Sequence, residues 1–170
     1  MLDREYVQKE LDKFKRYVVQ QSRSNLTKRN KNSSRRLYDS IDGVAKVNKN
    51  SISLYFEMEE HGEYQDKGVK GSKSNYVENK NTPYSYRDKM PPTRALDKWV
   101  VRKGLAPRDK NGKLMSRQGL KFAIAKSIQQ KGIKASFFFT KPFESAFERL
   151  PDDIIEAYGI DIVNLYLKTK

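Results

Sequence analysis

Apolar residues recur at helical spacing in the first part of the chain. They are separated by four, three and four positions, which places them on one face of a long amphipathic helix. These residues are Val7, Leu11, Phe14 and Val18. The pattern fades between residues 20 and 36 and resumes at Leu37 and Ile41. We therefore expect the helix to continue or restart there and to end near Gly43.

A strictly alternating segment, "SISLYFEME", follows this helical region. Alternation is typical of a strand with one buried side, here formed by Ile52, Leu54, Phe56 and Met58. The residues Asn48-Lys49-Asn50 separate it from a second short apolar run. The sequence therefore predicts a β-hairpin that joins residues 44–48 to residues 51–59.

Three further helices are predicted in the second half of the chain. "PPTRALDKWVVRKG" predicts a short helix with Trp99 packed inward and Gly104 as its terminator. Ser116 is placed as the N-cap of a second helix that stops at Gly132. A last helix, with an edge strand as the alternative, is suggested by Ile154, Ile155, Tyr158, Ile162 and Leu165.

The segment 68–90 shows no sustained period and is rich in Gly, Ser, Asn and Lys. We expect an exposed loop that is ordered by a neighbouring subunit, with Tyr76, Tyr84 and Tyr86 as interface residues. With this loop, the patterns predict one α+β domain over residues 1–170. It consists of an N-terminal helical arm, 1–43, and an α+β core, 44–170.

The charge balance points to an acidic partner. Lys and Arg number 35 against 21 acidic residues, a formal net charge of +14. The net charge is +7 over residues 1–50 and +10 over 91–150, but −1 over 51–90 and −2 over 151–170. Nucleic acid is the usual partner of so basic a chain. No run approaches the length of a membrane span, so we expect a protein made in a cytoplasm, with no membrane partner.

Residues for catalysis are scarce. The chain has no cysteine, which excludes disulfides and thiolate chemistry, and its one histidine, His61, lies among acidic residues that are typical of a solvated turn. The triplet Glu78 to Lys80 spells the E-x-K of one nuclease class, but it falls in a polar loop. We expect no enzymatic activity, metal or cofactor.

Six basic residues occur between residues 20 and 36 without an acid. They are Arg23, Lys28, Arg29, Lys31, Arg35 and Arg36. Two interpretations stay open: the tract faces DNA phosphates, or it is a solvated helix face or linker.

Phe137, Phe138 and Phe139 form a contiguous aromatic triplet just after Gly132. Stacking on nucleic-acid bases would need exposed rings in a groove. A contiguous triplet is more often part of a core or a subunit interface, and we favour that interpretation.

Three segments, taken in order, carry a resemblance. "EYQDKGVKG", "KMPPTRALDKWVVRKGL" and "SRQGLKFAIAKSIQQKGIKASFFFTKPFESAF" are similar to segments of phage neck proteins of the tail-completion, or head–tail joining, family. The likeness covers about residues 60 to 150. The long Tyr- and Lys-rich loop and the few apolar residues between 20 and 36 depart from the family pattern.

The resemblance implies an α+β fold with a long N-terminal helix, in which helices flank a small twisted antiparallel sheet. It implies no enzymatic activity. It implies a virion component assembled in a bacterial host, in which a ring, a hexamer or dodecamer, joins the portal or its adaptor to the tail proteins. Genomic DNA would pass through the lumen without sequence-specific contacts. The alternative is a basic DNA-binding protein, monomeric or dimeric, with or without metal-dependent nuclease activity.

Overall fold

A computed structural model describes residues 4–31, 33–48, 51–108 and 111–168 of the chain. The helices are α1 (Glu5–Lys28), α2 (Arg36–Ser40), α3 (His61–Lys67), α4 (Asp97–Arg102), α5 (Arg117–Lys131), α6 (Thr140–Phe147) and α7 (Leu150–Lys168). The strands are β1 (Asp42–Val47), β2 (Ile52–Glu57), β3 (Val69–Lys70) and β4 (Gly132–Ile133). Short 3-10 turns occur at Val77–Asn79 and Thr93–Leu96. The predicted α+β class, with a long first helix and a small antiparallel sheet, is confirmed.

The chain divides into two compact units. The first contains the described residues between 1 and 32, between 36 and 59 and between 138 and 170, and the second contains 33–35 and 60–137. This grouping differs from the sequence-based division at residue 43. The long helix α1 contacts β1, α6 and α7, so it is a central element of the first unit rather than an arm.

The predicted apolar face of α1 forms the main core of the first unit. Val7, Leu11, Phe14 and Val18 are all buried, together with Leu150 and Ala157 of α7. Around Phe14 the rings of Phe56 and Phe143 lie at 6.1 Å and 5.7 Å between centroids, in tilted and edge-on arrangements. Such aromatic contacts add to the free energy of burial, so the hairpin and α6 are fixed on the same side of α1.

The helix α1 runs without a break to Lys28 and ends in the chain reversal that often terminates helices. Asn30 adopts a left-handed conformation with φ of 52°, and its N–H donates to the carbonyl of Thr27. The N–H of Lys31 donates to the carbonyl of Leu26 at 2.9 Å, which completes a Schellman motif. Among the residues that the structure describes between α1 and the hairpin, one short helix, α2, follows.

The helix predicted to restart and to end near Gly43 is α2, which ends at Ser40, and Gly43 is not its terminator. Gly43 lies inside β1 and pairs with Phe56 of β2. A β-carbon at Gly43 would come within 2.9 Å of the Phe56 ring, so this glycine allows the ring to cross the strand. The hairpin itself is confirmed, with Val47 opposite Ile52, and its turn residues 49 and 50 lie outside the described residues.

The second unit is organised around the β3–β4 pair and α5. Val69 pairs with Ile133, and the predicted N-cap is confirmed because Ser116 Oγ accepts the N–H of Gly119 at 3.1 Å. The helix stops at Gly132, whose φ of 81° is left-handed. In α4, Val100 is buried and Trp99 is only half-buried, so the inward packing predicted for the tryptophan is partial.

The last segment is a helix, not an edge strand. The buried face of α7 carries Leu150, Ala157 and Asp161, with Ile154 partly buried beside them. Ile155, Tyr158 and Ile162, which helped to predict this helix, are exposed. The side chain of Leu165 is outside the described part of the structure.

Candidate functional site

The acidic segment around His61 forms the short helix α3, with His61 exposed as its first residue. Glu63 accepts a hydrogen bond from the hydroxyl of Tyr84, and this contact raises the pKa of Tyr84. Among the described residues, no group of three His, Asp or Glu side chains is arranged to hold a metal ion.

The E-x-K triplet lies on a 3-10 turn rather than on a core strand. Glu78 forms an ion pair of 2.6 Å with Lys134, and its hydrogen bond to that lysine lowers the pKa of Glu78. Lys80 is exposed. The E-x-K motif of that nuclease class needs its Glu and its Lys on a core strand, where they hold a metal and a water, and this triplet does not meet that requirement.

The loop 68–90 is anchored to its own chain by one buried side chain, Asn79. Its amide nitrogen donates to the carbonyls of Val69 and Ile133 at 2.9 Å and 2.8 Å, and its amide oxygen accepts the N–H of Ala135 at 2.8 Å. Thr82 adds a buried hydrogen bond of 2.8 Å to the carbonyl of Gly68. The expectation that only a neighbouring subunit orders this loop was therefore wrong, because polar side chains supply the contacts that apolar ones do not.

The three tyrosines predicted as interface residues are half-buried. Tyr84 packs edge-on against Tyr64, with ring centroids 4.7 Å apart. The backbone on either side of Ser85 pairs with Lys70 of β3, through the carbonyl of Tyr84 and the N–H of Tyr86. The remaining exposed area of Tyr76, Tyr84 and Tyr86 stays available for an interface.

The three residues of the Phe triplet differ in how deeply they are buried. Phe138 is fully buried among Leu26, Leu37 and Ile41. Its side chain therefore offers no surface to a second subunit, which corrects its assignment as an interface residue in favour of the core. Phe137 and Phe139 are partly buried, and Phe137 has a left-handed φ of 48°.

Within the basic tract, one residue, Arg23, binds to other residues of its own unit, and the others are exposed. Arg23 donates from Nη2 to the carbonyl of Ile41 at 2.9 Å, and its guanidinium lies 5.4 Å from the centre of the Tyr38 ring. Arg23 is thus bound to its own unit, in a groove of about 470 Å³ that Lys15 and Arg16 also line.

The other five basic residues of the tract are exposed; they are Lys28, Arg29, Lys31, Arg35 and Arg36. Arg35 belongs to the second unit and the other four belong to the first. Arg36 forms an ion pair of 3.1 Å with Glu59, which costs little to open at so exposed a position. We name Lys28, Arg29, Lys31 and Arg36 the basic turn. Lys28 is the last residue of α1, Arg36 is the first residue of α2, and all four side chains present exposed positive charge to which phosphates can bind.

An exposed apolar surface on α7 was missed in the sequence. Ile155, Val163 and Leu167 are 70%, 57% and 65% exposed, and they lie opposite the buried face. No described helix is long and apolar enough to cross a membrane. The apolar residues surround α7 on most sides, so spacing alone did not show which of them would be buried.

Comparisons with known proteins found no match: no family model, no curated protein and no solved structure is significantly similar to the chain.

Proposed function

We propose that this chain is a structural virion protein of a tailed phage. It assembles as a ring at the neck, joins the portal or its adaptor to the tail, and lets genomic DNA pass through. It has no enzymatic activity in this role. The proposal starts from the resemblance of three sequence segments to phage neck proteins. The arrangement of those segments in the fold provides further support.

Their arrangement in the fold supports the proposal. The first segment supplies β3 and the third supplies β4, and these two strands pair through Val69 and Ile133. The second segment supplies α4, which is tied to α5 of the third by a 2.6 Å ion pair between Asp97 and Lys121. Residues 63–71, 89–105 and 116–137 thus lie in one compact unit, whereas residues 138–147 of the third segment belong to the other unit. The joining of parts of all three segments in the second unit is the observation that carries the proposal.

The basic turn supports the passage of DNA. Lys28, Arg29 and Lys31 are exposed near the end of α1, where they would meet phosphates without reading bases. A surface that lines a DNA channel needs this kind of contact, because sequence-specific contacts would hold the moving genome. The charge is therefore consistent with a lumen that faces DNA.

Immunogold labelling of the phage particles that encode this chain tests the proposal. We expect gold at one site per particle, at the junction between head and tail, and the chain among the proteins of purified particles. Absence from purified particles, with DNA binding retained by the isolated chain, would instead favour the DNA-binding alternative. Labelling of the capsid shell or the tail tip would also contradict a place in the neck.

A further inference from the structure

The outer face of α7 combines apolar and acidic side chains. Following the helix at intervals of three and four, this face carries Asp152, Ile155, Glu156, Ile160, Val163 and Leu167, all of them exposed. Aliphatic side chains this exposed, on neighbouring turns of one helix, mark an interaction surface rather than an ordinary protein surface. The charges on the face are acidic, in a chain whose formal net charge is +14.

The outer face of α1 has the opposite character. It carries Tyr6, Lys9, Lys13, Arg16, Tyr17 and Gln20, which are all exposed and recur at helical spacing. Tyr6 and Tyr17 are 39% and 40% exposed, and the ammonium of Lys9 lies 5.1 Å from the centre of the Tyr6 ring. A surface of tyrosine and basic residues can bind a helix face that carries both apolar and acidic side chains.

We infer that the outer face of α7 in one copy packs on the outer face of α1 in a second copy of this chain. The charges support this occupant, since Asp152 and Glu156 meet Lys13 and Arg16, while the aliphatic residues cover the two tyrosines. Lys9 and Lys13 already pair with Glu5 and Glu10, but these ion pairs are exposed and are worth little. When the contact forms, weak ion pairs within α1 are replaced by ion pairs between the two copies.

Such a contact is heterologous, because it joins two different surfaces. After one contact, one copy still has a free α1 face and the other has a free α7 face, so the contact repeats from copy to copy. The chain of copies forms a ring where the rotation between neighbours closes, and an open filament where it does not. Both faces belong to the same compact unit, in which α1 and α7 already pack on one another. The inference rests on the proposed function, since it names the contact between subunits of the proposed ring. Nucleic acid does not fit the α7 face, because Asp152 and Glu156 repel phosphates.

Mixing two charge-reversed variants of the full-length chain tests the inference. One variant carries Asp152→Lys and Glu156→Lys on α7, and the other carries Lys13→Glu and Arg16→Glu on α1. Each variant alone places like charges across the contact, whereas an equimolar mixture restores opposite charges at every contact. Sedimentation velocity measures association, and circular dichroism checks that both variants stay folded.

We expect the wild type to associate with increasing concentration. Each variant alone should associate about tenfold or more weakly, and the mixture should regain the wild-type distribution. A monomeric wild type, a mixture that stays dissociated, or undiminished association of either variant alone would overturn the inference.

An apolar substitution provides an independent test. Val163→Asp should weaken association in the same way, because it places a charge at the centre of the contact. Val77→Asp is the matched control, since Val77 is 89% exposed and lies in the other unit. Equal effects of the two substitutions would contradict the contact. The outcome is separable from the place of the chain in the phage, which particle labelling decides.

Discussion

Oδ2 of Asp161 accepts a hydrogen bond of 3.2 Å from the backbone N–H of Val7, which lies 154 positions earlier in the chain. Oδ1 of the same carboxylate accepts the N–H of Tyr6, also at 3.2 Å. The first turn of α1 has no cap from its own N-cap residue, Arg4. A buried carboxylate of α7 therefore satisfies helix N–H groups that a Ser or Asp at the N-cap would otherwise satisfy.

Asp161→Ala should destabilise the protein by about 1 to 3 kcal/mol, because the buried N–H of Val7 and the partly buried N–H of Tyr6 lose their acceptor. Asp161→Asn keeps one acceptor oxygen and should fall between the wild type and the alanine variant. Urea unfolding monitored by circular dichroism gives these free energies. Glu156→Ala, an exposed change on the same helix, is the control and should have little effect. Equal stability of Asp161→Ala and the wild type would show that the carboxylate does not cap α1.

This interaction shows where prediction from the sequence stops. Val7, Leu11 and Phe14 were recognised as a buried face because their spacing is local and helical. The alternation around Phe56 predicted the hairpin for the same reason. The role of Asp161 depends on a residue at the other end of the chain, and nothing in its neighbourhood distinguishes it from a solvated acid.

Asn79→Ala should destabilise the protein by about 2 to 4 kcal/mol, since two buried carbonyls and one buried N–H would lose their partner. The change should also release the part of this loop that follows β3 from the β3–β4 pair. Amide hydrogen exchange should then become faster in this loop. Asn81→Ala, at an exposed position two residues on, is the control and should leave exchange in the loop unchanged. Unchanged exchange in Asn79→Ala would contradict the anchoring role.

Phe138→Ser should cost about 3 to 5 kcal/mol, because a fully buried ring is replaced by a small polar side chain. Thermal unfolding followed by circular dichroism measures the loss. Phe147→Ser, at a ring that is 49% exposed, should cost clearly less. If the two substitutions cost the same, Phe138 is not the core residue that its burial indicates.

DNA binding should be independent of sequence and steeply dependent on salt. Replacing Lys28, Arg29, Lys31 and Arg36 by Gln should reduce the slope of log K against log salt by about 3 to 4, from counterion release at four phosphate contacts. Fluorescence anisotropy with labelled duplexes of unrelated sequence measures both effects.

The control for this experiment removes the same number of positive charges elsewhere. It replaces four exposed basic residues of the other unit by Gln, namely Lys89, Lys98, Arg102 and Lys103. If this control reduces the slope as much as the first variant, net charge rather than the basic turn determines binding.

The candidate surfaces were only partly predictable. The basic tract was recognised because charge can be read directly from the sequence. The hydrogen bond of Arg23 to Ile41 and its contact with the Tyr38 ring could not be predicted, because they depend on the fold. Asn79 was missed because a polar residue in a polar loop carries no signal of burial. The exposed face of α7 was missed because apolar residues surround that helix on most sides, and the packing of α1 selects the face that becomes buried.

Electron cryomicroscopy of the neck of the intact phage particle tests the central claim most directly. We expect a ring between the portal or its adaptor and the tail whose subunits fit both units of this chain, with α1 and α7 as paired long helices and the basic turn directed at the DNA. A complete neck in which no density fits this chain would contradict the account.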